Sequence, residues 1–149
     1  MLWELVPYTR GFGLDLGCGP DKGFPHFLGV DNKKDCALFN TQMDPDVVMD
    51  ARDLKTFATE GCDFVFSSHL LEHIEDHKSA LKEWWRVVKV GGHLCLYLPH
   101  KKFYPNMGTP LTNKDHKHDF LPSDIVDAML EIGTWDLLRN EDRSEGQEY

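Results

Sequence analysis

Residues 12–20 read Phe-Gly-Leu-Asp-Leu-Gly-Cys-Gly-Pro, a short apolar run, Phe12–Leu16, that ends in a glycine turn. A run of this length, closed by glycines, is typical of a buried parallel strand. Four more short runs along the chain have the same apolar character. They are Phe27–Asp31, Val47–Asp50, Phe64–Phe66 leading into Ser67-Ser68, and His93–Leu98. We interpret all five as strands of one sheet.

Two helices are predicted between and after these strands. The first begins at the N-cap Asp76 and stops at the glycine pair 91–92, and the second starts after Pro122-Ser123-Asp124 and runs to Gly133. Residues 135–138 are predicted as a sixth strand. This alternation favours an α/β domain, with a Rossmann-like, mainly parallel sheet and helices on both faces.

The connection between the first two strands is unusually short. Only seven residues, Pro20–His26, separate the glycine turn from the second strand, whereas a parallel crossover takes about a dozen residues and includes a helix. We therefore predict a shortened first crossover. No linker divides the chain, so residues 1–149 are predicted as a single domain. We expect its C-terminal end to be trimmed, because the chain stops where a partner of the sixth strand would begin.

Composition limits the partners and the compartment. The 149 residues include 16 Lys and Arg against 25 Asp and Glu, a net charge of −9, which disfavours binding to a nucleic-acid backbone. No apolar run reaches the roughly 20 residues of a membrane span, and the N-terminus lacks the features of a signal peptide. The four cysteines form no Cys-x-x-Cys pair. We interpret them as reduced thiols of a cytoplasmic protein.

The residues at the strand ends suit one nucleoside-containing ligand. In open α/β sheets, ligands bind outside the carboxyl ends of the strands, where the strand order reverses. Gly17 and Gly19 permit positive φ and a close approach of the backbone to a ligand. Asp31 can accept hydrogen bonds from two ribose hydroxyls, and Asp50 from an adenine amine, while the Ala51 amide can donate to a ring nitrogen.

These segments resemble the motifs of the class I S-adenosylmethionine-dependent methyltransferases. Residues 13–20 look like motif I, Leu28–Asp31 like the acidic ribose-binding strand, and Asp50-Ala51 like the adenine-contacting pair. Residues 63–74 are similar to the fourth motif of the small-molecule branch. Trp85–Gly92 resembles the Arg-Val-Leu-Lys-Pro-Gly-Gly signature, with valine in the proline position. The compact turn is similar to that of domains linked to bacterial polysaccharide assembly.

The resemblance implies S-adenosylmethionine as the cofactor. The contacts that it implies are Asp15, Gly17, Cys18, Gly19, Asp31, Asn32, Asp50, Ala51, Ser67 and Ser68. Asp21 stands in the third glycine position of motif I, and the first helix is predicted to be nearly absent. Pro20, Lys22 or the segment 8–10 are therefore candidates to cover the methionine end.

A nicotinamide dinucleotide site is the competing interpretation. Its Gly-x-Gly-x-x-Gly fingerprint requires glycine where this chain has Lys22, and an acid about 20 residues further on. Asp31 follows Gly17 by only 14 residues. A dinucleotide also requires a helix N-terminus for its pyrophosphate, whereas a sulfonium cofactor has no phosphate. S-adenosylmethionine is therefore favoured.

Two segments are predicted to border the methyl acceptor. The first is Ser67-Ser68-His69-Leu70, which differs from the Asn/Asp-Pro-Pro-aromatic motif of enzymes that methylate nucleic-acid amines. The second is the loop Pro99–Asp119, whose end resembles the family's His-x-His-x-Phe-Ser/Thr-Pro entry into a late helix. His116 is the first candidate for a general base and His69 the second, because histidine titrates near neutral pH. Alternatively, one of the histidines in this segment caps the helix or packs on Phe120.

No metal site is predicted. His116, His118 and Asp119 are suitable ligand types, but histidines two residues apart need an extended loop to converge on one ion. Glu72 and His73 are expected to orient the loop after the fourth strand and to cap a helix.

The predicted function is transfer of a methyl group from S-adenosylmethionine to a small-molecule or glycan acceptor, at an oxygen. The alternative is a non-catalytic cofactor-binding or scaffold domain within a larger surface-polysaccharide assembly protein. The shortened crossover favours that alternative, and catalytic turnover would separate the two. The sequence leaves the acceptor and the oligomeric state open.

Overall fold

The computed structural model describes residues 3–32, 35–36, 41–42 and 44–141. The bounds of its strands are β1 Gly13–Leu16, β2 Leu28–Asp31, β3 Asp35–Cys36, β4 Thr41–Gln42, β5 Val47–Val48, β6 Cys62–Ser68 and β7 Val88–Tyr97. The α-helices are α1 His77–Val87 and α2 Pro122–Ile132, and two 3₁₀ helices cover Trp3–Tyr8 and Leu71–His73.

Strand β1 lies at the centre of a five-stranded sheet with the order β5-β2-β1-β6-β7. Every pairing in this sheet is parallel, and all four residues of β1 are buried. Strands β3 and β4 form a separate antiparallel pair, which the sequence analysis did not predict. The Rossmann-like, mainly parallel sheet is confirmed.

The two faces of the sheet are covered differently. On one face, α1 and α2 pack over a core that includes Leu14, Val65 and Trp84. On the other face, the N-terminal 3₁₀ helix contributes Leu5 and Tyr8 to an aromatic cluster. The prediction of helices on both faces therefore holds, with a 3₁₀ helix in place of a long one on the second face.

The shortened first crossover is also confirmed, because the described segment 17–27 contains no helix. Two aromatic rings take the place of the helix on this face. Phe27 packs on Phe64 and Phe66, with ring centroids 4.7 and 5.6 Å apart, and Phe24 packs on Phe27 at 5.2 Å. These rings bury the face that a crossover helix would otherwise cover.

One predicted helix boundary and one predicted strand are wrong. Helix α1 ends at Val87, not at the glycine pair, because the backbone of Val88 is extended and continues directly into β7. Residues 135–138 form no strand, since Trp135 packs edge-on against Trp85 of α1 at 6.3 Å and this segment has no backbone partner in the described sheet. Among the described residues, no helix is long and apolar enough to cross a membrane.

We expect Trp84→Phe to lower the free energy of unfolding by about 1–3 kcal/mol. The Trp84 side chain is fully buried, and its indole Nε1 donates a 2.8 Å hydrogen bond to the Ala51 carbonyl, which the variant would leave unpartnered. Chemical denaturation provides the measurement. Trp85→Phe is the matched control, because Trp85 is exposed and its loss should cost under about 0.5 kcal/mol. Equal losses in the two variants would contradict the prediction.

Candidate functional site

The carboxyl ends of β1, β2 and β6 meet at one edge of the sheet. The chain passes from β1 to β2 on one side, while β6 pairs with the other side of β1. Strand order therefore reverses at β1, and a crevice at this point is the usual ligand site of an open α/β sheet. The predicted cofactor residues on these three strands and on the turns that follow them are thus brought to the same edge.

The glycine turn after β1 is held against both neighbouring strands. The Gly17 amide donates to the Val30 carbonyl at 2.8 Å, and a Cβ at Gly17 would lie 2.9 Å from the Leu70 side chain. Gly17 and Gly19 have φ values of +70° and +59°, which favour glycine. A Cβ at Gly19 would meet no atom within 4 Å, so the turn is open on that side.

Asp31 closes the turn from β2. Its Oδ2 accepts a hydrogen bond from the Gly19 amide at 3.2 Å, so the predicted ribose-binding carboxylate and the second glycine lie in direct contact. Asn32 follows it and is exposed. The structure therefore brings Gly17, Gly19 and Asp31 together as the motif resemblance implies.

Asp15 lies beneath the turn and is only 2% exposed. Its Oδ2 accepts a 2.7 Å hydrogen bond from the Gly23 amide, which anchors the short crossover. Burial raises the pKa of Asp15 to about 6, although the hydrogen bond from Gly23 opposes the shift. In this structure the Asp15 carboxylate thus fixes the loop that connects β1 to β2, through its hydrogen bond with Gly23.

We expect Asp15→Asn to become more stable relative to the native chain as pH rises from about 4 to 7. The folded-state pKa is above the usual value, so the stability that the Asp15 carboxyl contributes is complete at low pH and is lost through pH 6. The gain should reach about 1–3 kcal/mol in denaturation experiments. Asp46→Asn should show the opposite trend, because Lys22 lowers the pKa of Asp46. A flat difference for Asp15→Asn would contradict this prediction.

Asp50 and Ala51, the predicted adenine pair, are fixed by side-chain contacts. The Asp50 carboxylate forms an ion pair with Arg52 at 2.6 Å, and this pairing lowers the pKa of Asp50, so it stays ionised at neutral pH. The Ala51 carbonyl accepts the hydrogen bond from Trp84. This hydrogen bond ties the backbone of Ala51 to helix α1, which carries Trp84.

The other predicted cofactor residues differ in their surroundings. The buried Ser67 hydroxyl donates to the Leu16 carbonyl at 3.0 Å, so it ties β6 to β1, while Ser68 is half-buried at the end of β6. Burial raises the pKa of the Cys18 thiol to about 12, so this thiol is protonated at neutral pH. Lys22 is paired with Asp46 at 2.8 Å.

A histidine cluster surrounds the side chain of Glu72 next to the glycine turn. The Glu72 side chain is 1% exposed, and its Oε1 lies 3.5 Å from His69 Nδ1, 3.9 Å from His73 Nε2 and 4.0 Å from His116 Nε2. Within the part of the chain that the structure describes, neither carboxylate oxygen has a hydrogen-bond partner. His69 and His116, the two predicted bases, are thus brought to one carboxylate.

The two predicted bases differ in accessibility. The His69 side chain is 42% exposed and that of His116 only 3%. His69 has a φ of +53°, an uncommon conformation for a residue with a side chain, and its amide donates to the Tyr97 carbonyl at 3.0 Å. Burial and the neighbouring His73 lower the pKa of His116, whose ring stacks on Tyr104 at 5.4 Å.

His118 and Asp119 do not join His116 around a common point. His118 Nε2 lies 3.0 and 2.9 Å from the carbonyls of Ile74 and Glu75, and the Asp119 carboxylate accepts from the Met107 amide. Sequence reasoning missed the central position of Glu72, since it expected Glu72 and His73 only to orient a loop and cap a helix. The signal that was available was a carboxylate within a run that contains three histidines, His69, His73 and His77.

A cavity of about 390 Å³ lies along the outer edge of β7. It is lined mostly by apolar residues of β7, α2 and the segment 135–141, and none of the predicted cofactor residues lines it. The cavity therefore does not coincide with the crevice at the carboxyl edge.

The fold is that of a class I S-adenosylmethionine-dependent methyltransferase, as the motif resemblance predicted. Residues 14–96, more than half of the chain, match the family described as methyltransferase domain, and the chain belongs to that family. No protein among those with curated descriptions matches it.

Solved structures with the same fold cover most of this chain. A SAM-dependent methyltransferase from Archaeoglobus fulgidus is 23% identical with a TM-score of 0.72, and the match covers 91% of this chain and 66% of that one. One from Thermotoga maritima is 20% identical with a TM-score of 0.65, covering 85% and 65%. One from Mesorhizobium loti is 16% identical with a TM-score of 0.60, covering 89% and 78%. This chain thus spans about two thirds of the length of the first two.

Proposed function

We propose that this domain binds S-adenosylmethionine at the carboxyl edge of β1, β2, β5 and β6 and transfers its methyl group to an oxygen of a small-molecule or glycan acceptor. The observation that carries the proposal is the contact between the glycine turn and the segment that bears the histidines. Leu70, between His69 and Glu72, fills the space next to Gly17. A cofactor on the turn would therefore present its methyl group close to His69.

The local charge supports a cationic cofactor without phosphates. The crossover has no helix whose N-terminus could receive a pyrophosphate. Asp15 and Asp31 both lie at the glycine turn, close enough that the charge of Asp31 contributes to the raised pKa of Asp15. A sulfonium would relieve this repulsion, whereas a dinucleotide would increase it. The predicted contacts, from Asp15 to Ser68, are retained in this proposal as the cofactor site.

In the proposed reaction, a hydroxyl oxygen of the acceptor attacks the methyl carbon of the sulfonium. The carbon–sulfur bond breaks as the carbon–oxygen bond forms, the sulfonium becomes a thioether, and the hydroxyl proton passes to a histidine. Alignment of the two reactants can supply much of the rate. His69 is the base that an acceptor can reach from solvent, and His116 is the buried candidate on the same carboxylate.

The same proposal includes the setting of the domain. A cytoplasmic location is supported by Cys18, Cys62 and Cys95, which are buried free thiols; the side chain of Cys36 lies outside the described residues. The net charge of −9 disfavours a nucleic-acid acceptor. We take residues 1–149 as one domain.

A non-catalytic scaffold domain is the second candidate function. It is favoured by the absence of a crossover helix between β1 and β2, which leaves the methionine end of the cofactor with less cover. A scaffold would bind the cofactor without turnover, so an acceptor screen separates the two functions.

Isothermal titration is expected to show micromolar binding of S-adenosylhomocysteine and none of NADH. In Asp31→Ala the binding free energy of S-adenosylhomocysteine should become less favourable by about 1–3 kcal/mol, because the ribose would lose hydrogen bonds to a carboxylate. Asp21→Ala is the matched control, since Asp21 is an exposed acid on the same loop and its affinity should not change. Unchanged affinity in Asp31→Ala would contradict the ribose placement, and the absence of S-adenosylhomocysteine binding would contradict the proposed function.

His69→Ala and His116→Ala are each expected to lower turnover about 10²–10⁴-fold, as loss of a general base does, with affinity for S-adenosylhomocysteine within threefold of native. Turnover is measured as S-adenosylhomocysteine released with a panel of sugars and phenols. His93→Ala is the control, because His93 lies on β7 and packs on Tyr8, outside the Glu72 cluster. Equal losses in turnover and cofactor affinity would indicate a structural role.

A further inference from the structure

We propose that Glu72, His73 and His116 form a binding site for a divalent transition-metal ion such as Zn²⁺ or Co²⁺. One carboxylate oxygen and one ring nitrogen from each histidine all lie within 4.8 Å of one another. Two imidazoles and a carboxylate are a common ligand set for such ions, and three protein ligands leave a position open for a further oxygen. This site differs from the one that the sequence analysis considered and set aside.

The carboxylate of Glu72 gives the first argument. It is 1% exposed, and neither of its oxygens has a hydrogen-bond partner among the described residues. Buried carboxylates are normally paired or bound to a metal, because an uncompensated one costs several kcal/mol. A cation at Oε1 would remove that cost.

The spacing of the ligand atoms gives the second argument. Oε1 is 3.9 Å from His73 Nε2 and 4.0 Å from His116 Nε2, which is too long for hydrogen bonds. Metal–ligand distances of about 2.0–2.2 Å in a tetrahedral site place ligand atoms about 3.4 Å apart. A contraction of roughly 0.5 Å would therefore bring each of these two nitrogens to the expected separation from Oε1, and the two nitrogens themselves lie within 4.8 Å of each other.

The backbone holds the ligands in place before any ion arrives. The 3₁₀ helix Leu71–His73 carries two of them, and the Glu72 carbonyl accepts hydrogen bonds from the amides of Lys117 and His118 at 2.7 and 3.3 Å. These bonds fix the segment that contains His116 against the helix. His118 secures the same segment through the Ile74 and Glu75 carbonyls, and such outer contacts orient metal ligands.

The role of the ion rests on the proposed methyl transfer. An acceptor hydroxyl in the open position would be oriented by the ion and would lose its proton more readily. His116 would then be a ligand, and His69, 3.5 Å from the same carboxylate oxygen and partly exposed, would receive the proton. The inference narrows the acceptor to alcohols, sugars and phenols, which offer a hydroxyl oxygen.

Titration of the EDTA-treated full chain with Co²⁺ tests the site directly. We expect one Co²⁺ per chain with a visible absorption band, and an affinity lower by at least tenfold in Glu72→Gln and in His116→Ala. His93→Ala should bind as the native chain does. The absence of Co²⁺ binding at micromolar concentrations, or equal binding in Glu72→Gln, would overturn the proposal.

Thermal unfolding supplies a readout that does not depend on activity. Metal-free Glu72→Gln should be at least as stable as the metal-free native chain, because it removes an unpaired buried charge. Zn²⁺ should raise the melting temperature of the native chain only, since a ligand that binds the folded state stabilises it. A variant stabilised by Zn²⁺ as much as the native chain would overturn the proposal.

Cofactor titration separates this inference from the proposed function. Binding of S-adenosylhomocysteine to the EDTA-treated chain without Co²⁺ binding would overturn the metal site and leave the methyl-transfer proposal intact. Co²⁺ binding without S-adenosylhomocysteine binding would support the metal site and contradict the methyl-transfer proposal.

Discussion

The candidate site depends on the pairing of β1 along both of its edges. Its four residues are buried and bonded to β2 on one side and β6 on the other. Because all three strands are parallel, their carboxyl ends lie at the same edge. The bond from the Gly17 amide to the Val30 carbonyl continues this pairing past the end of β1. It places the glycine turn beside Asp31 on one side and beside the histidine segment on the other.

The short crossover makes the face beneath the turn unusual. Where a helix would cover the sheet, the chain has Phe24 and Phe27 packed on the rings of β6, and the Asp15 carboxylate holds the loop through Gly23. Burial of that carboxylate costs stability when it ionises. The hydrogen bond from the Gly23 amide offsets part of this cost, because it lowers the pKa of Asp15 against the effect of burial.

Sequence patterns predicted the elements whose signals are local. The apolar runs with terminal glycine or acid gave β1 and β2, and Asp76 was correctly placed as an N-cap, since its side chain accepts from the Ser79 amide. The predicted end of α1 at the glycine pair and the predicted strand at residues 135–138 were wrong, because both depend on tertiary packing. The backbone of Val88 is extended and already belongs to β7, and the ring of Trp135 packs against Trp85 of α1.

The candidate site was predicted only in part, because some of its residues are placed by local sequence signals and others by tertiary contacts. Motif residues at the strand ends were brought to one edge because strand register alone positions them. The grouping of Glu72 with His116 depends on the backbone bonds from the amides of Lys117 and His118 to the Glu72 carbonyl. That of Glu72 with His69 depends on the left-handed backbone of His69. No local sequence pattern specifies either feature. The alternative that one histidine of this segment packs on Phe120 is confirmed for His118, whose ring stacks on Phe120 with centroids 5.2 Å apart. The ring of His116 instead stacks on Tyr104 and lies edge-on to His73.

Asp15 and Glu72 are two buried carboxylates near the same crevice, and they differ in their hydrogen-bond partners. Asp15 has a backbone donor at 2.7 Å and a raised pKa, so it is satisfied by the fold itself and needs no ligand. Glu72 has three imidazoles around one oxygen and a bond to none of them. The loop amide thus satisfies the first carboxylate, whereas the second is buried without a hydrogen-bond donor among the described residues. This difference in hydrogen bonding is why the metal site is proposed at Glu72 and not at Asp15.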